Sequence, residues 1–183
     1  RGRTAVRARS EDPNAPTHAM SAEELDAIGR AVGIAAIKYA DLSTDTGRDY
    51  VFDLDRMVTF EGDTGPYLQY AHARLNSMIE KAGDDFHADA ALLVREPEER
   101  RLTLLLLRYA DAVRDACDSL EPARLCRYLH SLATEFNTFY SACPVLKAED
   151  AAVRSSRLRL ASIVRRVLAD GLDCLGIEAP RRM

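Results

Sequence analysis

The stretch Gly62–Arg74, GDTGPYLQYAHAR, places two tyrosines, a glutamine, a histidine and an arginine on the start of one element, behind a turn broken by Gly and Pro. Such side chains suit recognition of something flat and negatively charged. Tyr67 and Tyr70 can stack, Gln69 and His72 can hydrogen-bond to edges, and Arg74 can fork onto a phosphate. A second group, EFNTFYSACPVL, brings Phe136, Asn137, Phe139 and Tyr140 to the end of another element. Phe136 and Phe139 continue an apolar stripe and read as core. Tyr67 and Tyr140 sit at element ends, where a ring can stand half out of the surface. The carboxyl-terminal stretch from Ala151 to Met183 holds seven arginines, no lysine and three acids. Arg159 and Arg166 are seven apart and share a helical face, while Arg154 and Arg165 share another. Guanidinium groups grip phosphate and stack on bases, which sets this cluster slightly apart from an ordinary solvated face.

Other chemistries find no support. No Gly-rich phosphate loop, no Gly-x-Ser-x-Gly turn and no His-Glu-x-x-His pair occurs. Cys126 and His130 are four apart on one face, as two metal ligands would be, but no further Cys or His lies at ligand spacing. The plainer reading is a buried thiol beside a half-exposed ring. Acid pairs such as Asp84–Asp85 and Glu98–Glu99 read as solvated turns.

The 183 residues suffice for one compact domain or a small domain with an appendage. Apolar residues are 47% of the chain and the net charge is −4, so bulk charge announces no nucleic-acid binder, and any such signal must be local. Four cysteines without a CxxC pair fit free thiols in a reducing cytosol better than a disulfide frame. No apolar run reaches the roughly 20 residues that span a bilayer.

Residues 1–20 show no apolar period and read as a flexible tail. Ser21 and Glu24 form a capping box, and a helix follows to about Asp41 with Leu25, Ile28, Val32, Ile37 and Ala40 inward. Residues 44–63 read as a short mixed or irregular connector. Beyond Pro66 the pattern is helical: one helix to Gly83, one from Pro97 to about Ser119, one from Pro122 to about Cys143, and one from about Glu149 to Leu175. The link near residues 84–96 carries at most one short turn. The expected fold is all-α, a helical bundle preceded by a helix and a short mixed connector.

Three stretches together resemble the arginyl-tRNA synthetases: AVGIAAIKYADLS with DYVFDLDRMVTFEGDTGPYLQYAHAR, then EFNTFYSACPVL, then GLDCLGIEAPRRM. The resemblance spans nearly all of residues 21–183 in the family's order and spacing. It implies the helical anticodon-binding domain of a class I synthetase over residues 64–183. Residues 21–63 would then be the end of the catalytic region and its connector. It further implies tRNA, the arginine isoacceptors, as partner, with Tyr67, Gln69, His72, Arg74, Asn137 and Tyr140 near the anticodon loop. Met183 with its carboxylate would close the anticodon pocket, while Arg159 and Arg166 are expected, from their charge and shared face, to meet RNA phosphates. ATP and Mg are implied for the parent enzyme, whose HIGH-like and KMSKS-like motifs are not in this sequence, so no cofactor is expected in this chain. A monomeric cytoplasmic protein without membrane association is expected. Asp63, Gly65 and Leu54 depart from the family pattern, where Asn, Ala and Trp are common. The alternative is a helical protein-interaction or stand-alone domain, derived from a synthetase, without aminoacylation activity.

Overall fold

The computed structural model describes residues 1–11 and 17–183. Its helices start where side chains can satisfy free backbone N–H groups. The Ser21 hydroxyl accepts from the Glu24 amide at 3.2 Å, and the Glu24 carboxylate accepts from the Ser21 amide at 2.8 Å. These bonds open α2, Ala22–Ser43. The Asp53 carboxylate caps the one-turn α3, Leu54–Met57. Thr64 caps α4, Gly65–Ala82, by accepting from the Tyr67 amide at 3.1 Å. Gly83, at φ 51°, ends α4 and begins a 3-10 turn, Gly83–Asp85. Pro97 and Pro122 lie in the first turns of α5, Pro97–Leu107, and α7, Pro122–Ala142. Between them lies α6, Tyr109–Ser119, and Asp150 caps α8, Ala151–Cys174. Among the described residues no strand occurs, so the all-α expectation holds.

The core lies between α4, α7 and α8, with α2 closing one side. Leu68 and Leu75 of α4 meet Leu129, Leu132, Phe136 and Phe139 of α7 and Leu158, Leu168 and Leu172 of α8, all shielded from water. Each such burial contributes about 1.5–3 kcal/mol, so this layer dominates the fold's stability.

Three expectations need correction. Gly2–Ser10 is not part of a flexible tail: it forms α1, packed on α2 with Val6 buried. Residues 12–16, also assigned to that tail, lie outside the described residues. The apolar stripe of α2 is rotated from the expected one. Val32 is buried, but Ile37 is 47% exposed, and Ala31, Ala35, Ala36 and Tyr39 face inward instead. Small side chains let neighbouring backbones approach: a Cβ on Gly65 would stand 2.4 Å from the Ala35 carbonyl oxygen. Lastly, the span 97–119, expected as one helix, is two helices meeting at Arg108.

Candidate nucleic-acid interface

Four side chains of α4, Tyr70, Arg74, Ser77 and Lys81, recur at a spacing of four, three and four. They stand on one face. With Phe136 and Tyr140 of α7, Leu146 and Met183, they line an open cleft of about 240 Å³. Its charged side chains are those of Arg74 and Lys81, with no Asp or Glu in the lining, so the side-chain charge there is positive.

The cleft's polar edge is pre-ordered. The Arg74 guanidinium carbon lies 4.5 Å from the centre of the Tyr140 ring, a cation–π contact that holds both groups in place. Arg74 also reaches the Asn137 side-chain oxygen at 3.5 Å, and Asn137 donates to the Tyr67 hydroxyl at 2.9 Å. The Tyr67 ring rests on His130, with centroids 5.6 Å apart. On the far wall Arg9 of α1 lies 4.2 Å from the centre of the Tyr70 ring, and Phe60 meets the same ring edge-on. Tyr140, Arg74, Asn137 and Tyr67 therefore form a continuous row, with Met183 at the foot of the cleft, buried with Val6, Val32 and Ala73.

The structure thus brings together Tyr67, Arg74, Asn137, Tyr140 and Met183. Gln69 and His72 belong elsewhere: both are buried on the opposite side of α4. Gln69 donates to the Glu178 carbonyl at 2.7 Å, and His72 to the Pro180 carbonyl at 3.0 Å. They cannot reach a ligand in the cleft, because the helix that presents Tyr70 and Arg74 turns them inward. Arg159 is half-buried and donates to the Ala90 carbonyl, tying α8 to the link before α5. Arg166 is exposed on α8, outside the cleft. A seven-residue spacing fixes a shared face, not the direction in which that face looks. Sequence reasoning noted Tyr70 without assigning it to the site and missed Ser77 and Lys81. Their helical register with Arg74 was the available signal.

Groups outside the cleft are kept inert. Burial above all, with the neighbouring Asp63 acid, pushes the Cys126 thiol up to about 12, so it stays protonated. Burial and then the hydrogen bond to Asp63, at 2.6 Å, drive the Tyr39 hydroxyl far above its ordinary range. Asp63 is thereby committed to the packing of α2 and is no base contact. Among the described residues no three His, Cys, Asp or Glu side chains converge to hold a metal ion. The cleft offers stacking, hydrogen bonding and positive side-chain charge.

The DALR anticodon binding domain family matches residues 68–183, more than half of the chain. The chain belongs to this family. A second family, the class I tRNA synthetases (R) catalytic domain, matches residues 4–54, so α1 and α2 carry its signature. The arginine–tRNA ligase of Frankia casuarinae is 51% identical over 166 residues, covering 91% of this chain and 28% of that protein. The ligase of Thermobifida fusca is 51% identical over 158 residues, covering 86% and 27%. Among solved structures, the arginyl-tRNA synthetase of Thermus thermophilus superposes with a TM-score of 0.87 at 36% identity. It covers all of this chain and 31% of that one. The Plasmodium falciparum arginyl-tRNA synthetase superposes with a TM-score of 0.78 at 25% identity, covering 98% and 33%. The chain spans under a third of the length of the relatives it matches. Its DALR bundle includes every helix that lines the cleft.

Proposed function

We propose that the cleft between α4 and α7 receives bases of the anticodon loop of an arginine tRNA. This places the tRNA for ATP-dependent aminoacylation by the catalytic part of a synthetase. The carrying observation is the convergence of Tyr70, Arg74, Tyr140 and Met183 around one cleft without acidic side chains in a DALR family chain. An unpaired base has two faces for stacking and an edge for hydrogen bonds, and its phosphates meet Arg74 and Lys81. Asn137, held by Tyr67, supplies an edge contact within reach of Tyr140. Arg159 and Arg166 lie outside this reading. Arginine activation, with ATP and Mg, belongs to the full-length ligase that the relatives represent. A boundary near Thr64 between the connector and the anticodon-binding part is supported by the catalytic family model stopping at residue 54 and the DALR model starting at 68. No helix among the described residues is long and apolar enough to cross a membrane. The free thiols, two of them exposed, favour a reducing compartment such as the cytoplasm.

Titration of this chain with an arginine anticodon stem-loop and an anticodon-changed stem-loop tests the reading. Loss of one base–aromatic stack costs about 1–3 kcal/mol, so Tyr140→Ala should weaken the cognate complex roughly 5- to 150-fold. The changed stem-loop should lose much less. Equal losses for both would remove Tyr140 from base recognition.

A further inference from the structure

The segment after α8 is a strap held by its carbonyl oxygens. Lys38 of α2 donates to Gly176 at 2.5 Å, Gln69 of α4 to Glu178 at 2.7 Å, and His72 of α4 to Pro180 at 3.0 Å. Ile177, Pro180 and Met183 are buried between these grips. The two α4 donors lie three residues apart and catch carbonyls two residues apart, so the strap runs in register along the helix. Its last residue, Met183, is the one that forms the foot of the cleft.

Behind the His72 grip stands a row of polar side chains. Arg165 of α8 donates to the Asn76 side-chain oxygen at 3.0 Å, which turns the Asn76 amide nitrogen toward His72, 3.4 Å from its ring nitrogens. That nitrogen only donates, and the Pro180 carbonyl only accepts. The Pro180 carbonyl therefore sets the ring proton on Nδ1, while the Asn76 amide nitrogen, equally far from both ring nitrogens, packs against the ring. Arg165, Asn76, His72 and the Pro180 carbonyl thus stand in one row, in the protein interior or at its edge.

We propose that Gln69 and His72 are positioning residues for the anticodon cleft: they contact no RNA, but fix the strap whose terminal Met183 sets the depth of the base-binding surface. This rests on the RNA reading above. A methionine side chain is flexible and shapes a surface only when its backbone is held. The strap after Gly176 has no secondary structure of its own, so the two α4 grips, with the packing of Met183 on Val6, Val32 and Ala73, hold it in place.

The test uses the full chain and the same two stem-loops, with hydrogen exchange of the strap amides as a readout independent of RNA. His72→Leu should raise exchange of Ile177–Met183 at least tenfold and reduce discrimination between the stem-loops about five- to tenfold, with the slope of affinity against salt unchanged. His72→Asn, whose amide nitrogen can replace Nδ1, should restore both. Combined with Met183→Ala, His72→Leu should add no further loss of discrimination. Gln69→Met provides the same comparison should His72→Leu fail to fold. If wild-type protein discriminates and His72→Leu discriminates equally well, the positioning role is overturned alone. It is also overturned if discrimination falls while strap exchange stays at the wild-type rate, or if the losses from His72→Leu and Met183→Ala add. If the wild-type chain binds both stem-loops alike, the RNA reading fails and the positioning role falls with it, whatever the exchange shows.

Discussion

The imidazole of His72 is pressed from three sides against protonation. Burial is the largest influence lowering its proton affinity. The Pro180 carbonyl partly opposes this, and the cationic Arg165 of α8 and Arg181 of the strap reinforce it. Asn76, its neighbour on α4, presents a donor that an imidazolium could not accept. The folded-state pKa therefore lies below the ordinary 6.5. Above 6.5 the ring is neutral both folded and unfolded and adds no pH dependence. As pH falls below 6.5, the unfolded chain takes up a proton that the folded chain refuses. Stability then declines, by at most about 1.4 kcal/mol per pH unit, until the folded ring titrates as well. Urea midpoints measured between pH 7.5 and 5 should fall for the wild-type chain and fall less for His72→Asn. Parallel curves would show that His72 is not held neutral. A histidine at a helix start looks the same in sequence whether it faces RNA or a carbonyl. Only the register of α4 against α8 and the strap decides, and that register comes from packing distant in sequence.

Helix α1 shows how an element can be set by docking rather than by its own pattern. Its one buried large apolar side chain is Val6, and its sequence is otherwise dominated by arginine and small residues. What fixes it is proximity. A Cβ on Gly29 of α2 would stand 2.6 Å from the Arg3 Cα, and one on Gly2 would stand 2.5 Å from the Gly29 carbonyl oxygen. Gly29→Leu should therefore lift α1 from α2, at a cost of roughly 2–3 kcal/mol for exposing Val6. Trypsin should then cut at Arg3, Arg7 and Arg9 much faster than in the wild type, while the main unfolding transition remains. An unchanged cleavage rate would mean that α1 is held by something other than this glycine contact. Elements with local signals were legible: the Ser21–Glu24 box satisfies backbone groups within a few residues, and Pro122 opens α7 where its missing N–H costs nothing. The bend at Arg108 was not, because Leu102, Leu105, Leu106 and Tyr109 keep helical phase across it without Pro or Gly. Both α5 and α6 pack against α7, and that shared partner bends the chain. Of the cleft, Arg74, Tyr140 and Asn137 were readable from residue type and family resemblance. Tyr70, Ser77 and Lys81 needed the inward face of α4 to be known first.

At the scale of the molecule, the bundle does not divide at the family boundary. Tyr39 of α2, within the span matched by the catalytic model, is buried in the same core as Leu129 and Leu172. The far side of the bundle is locked by a charge pair, Arg157 of α8 with Glu99 of α5, at 2.7 Å, with both side chains at least nine-tenths buried. Burial opposes ionisation of Glu99, but the Glu96 amide, the Arg157 guanidinium and the Arg95 amide outweigh it, and its carboxyl is held below the usual range. Arg157 also donates to the Pro144 carbonyl at 2.9 Å, so one ion pair joins α5, α8 and the turn after α7. Removing one partner of a buried pair strands the other charge at a cost of about 3–5 kcal/mol, whereas replacing both with apolar side chains of similar size is often neutral. Glu99→Gln should lower the urea-derived stability by about that amount, and Glu99→Leu with Arg157→Met should recover most of it. The single variant should also lose part of the wild-type acid dependence. A depressed carboxylate contributes stability above its unfolded pKa, near 4.5, which disappears as pH falls through the lower folded value. If Glu99→Gln and the double variant are equally destabilised, the loss comes from packing around α5, and the pair is not what joins these three segments.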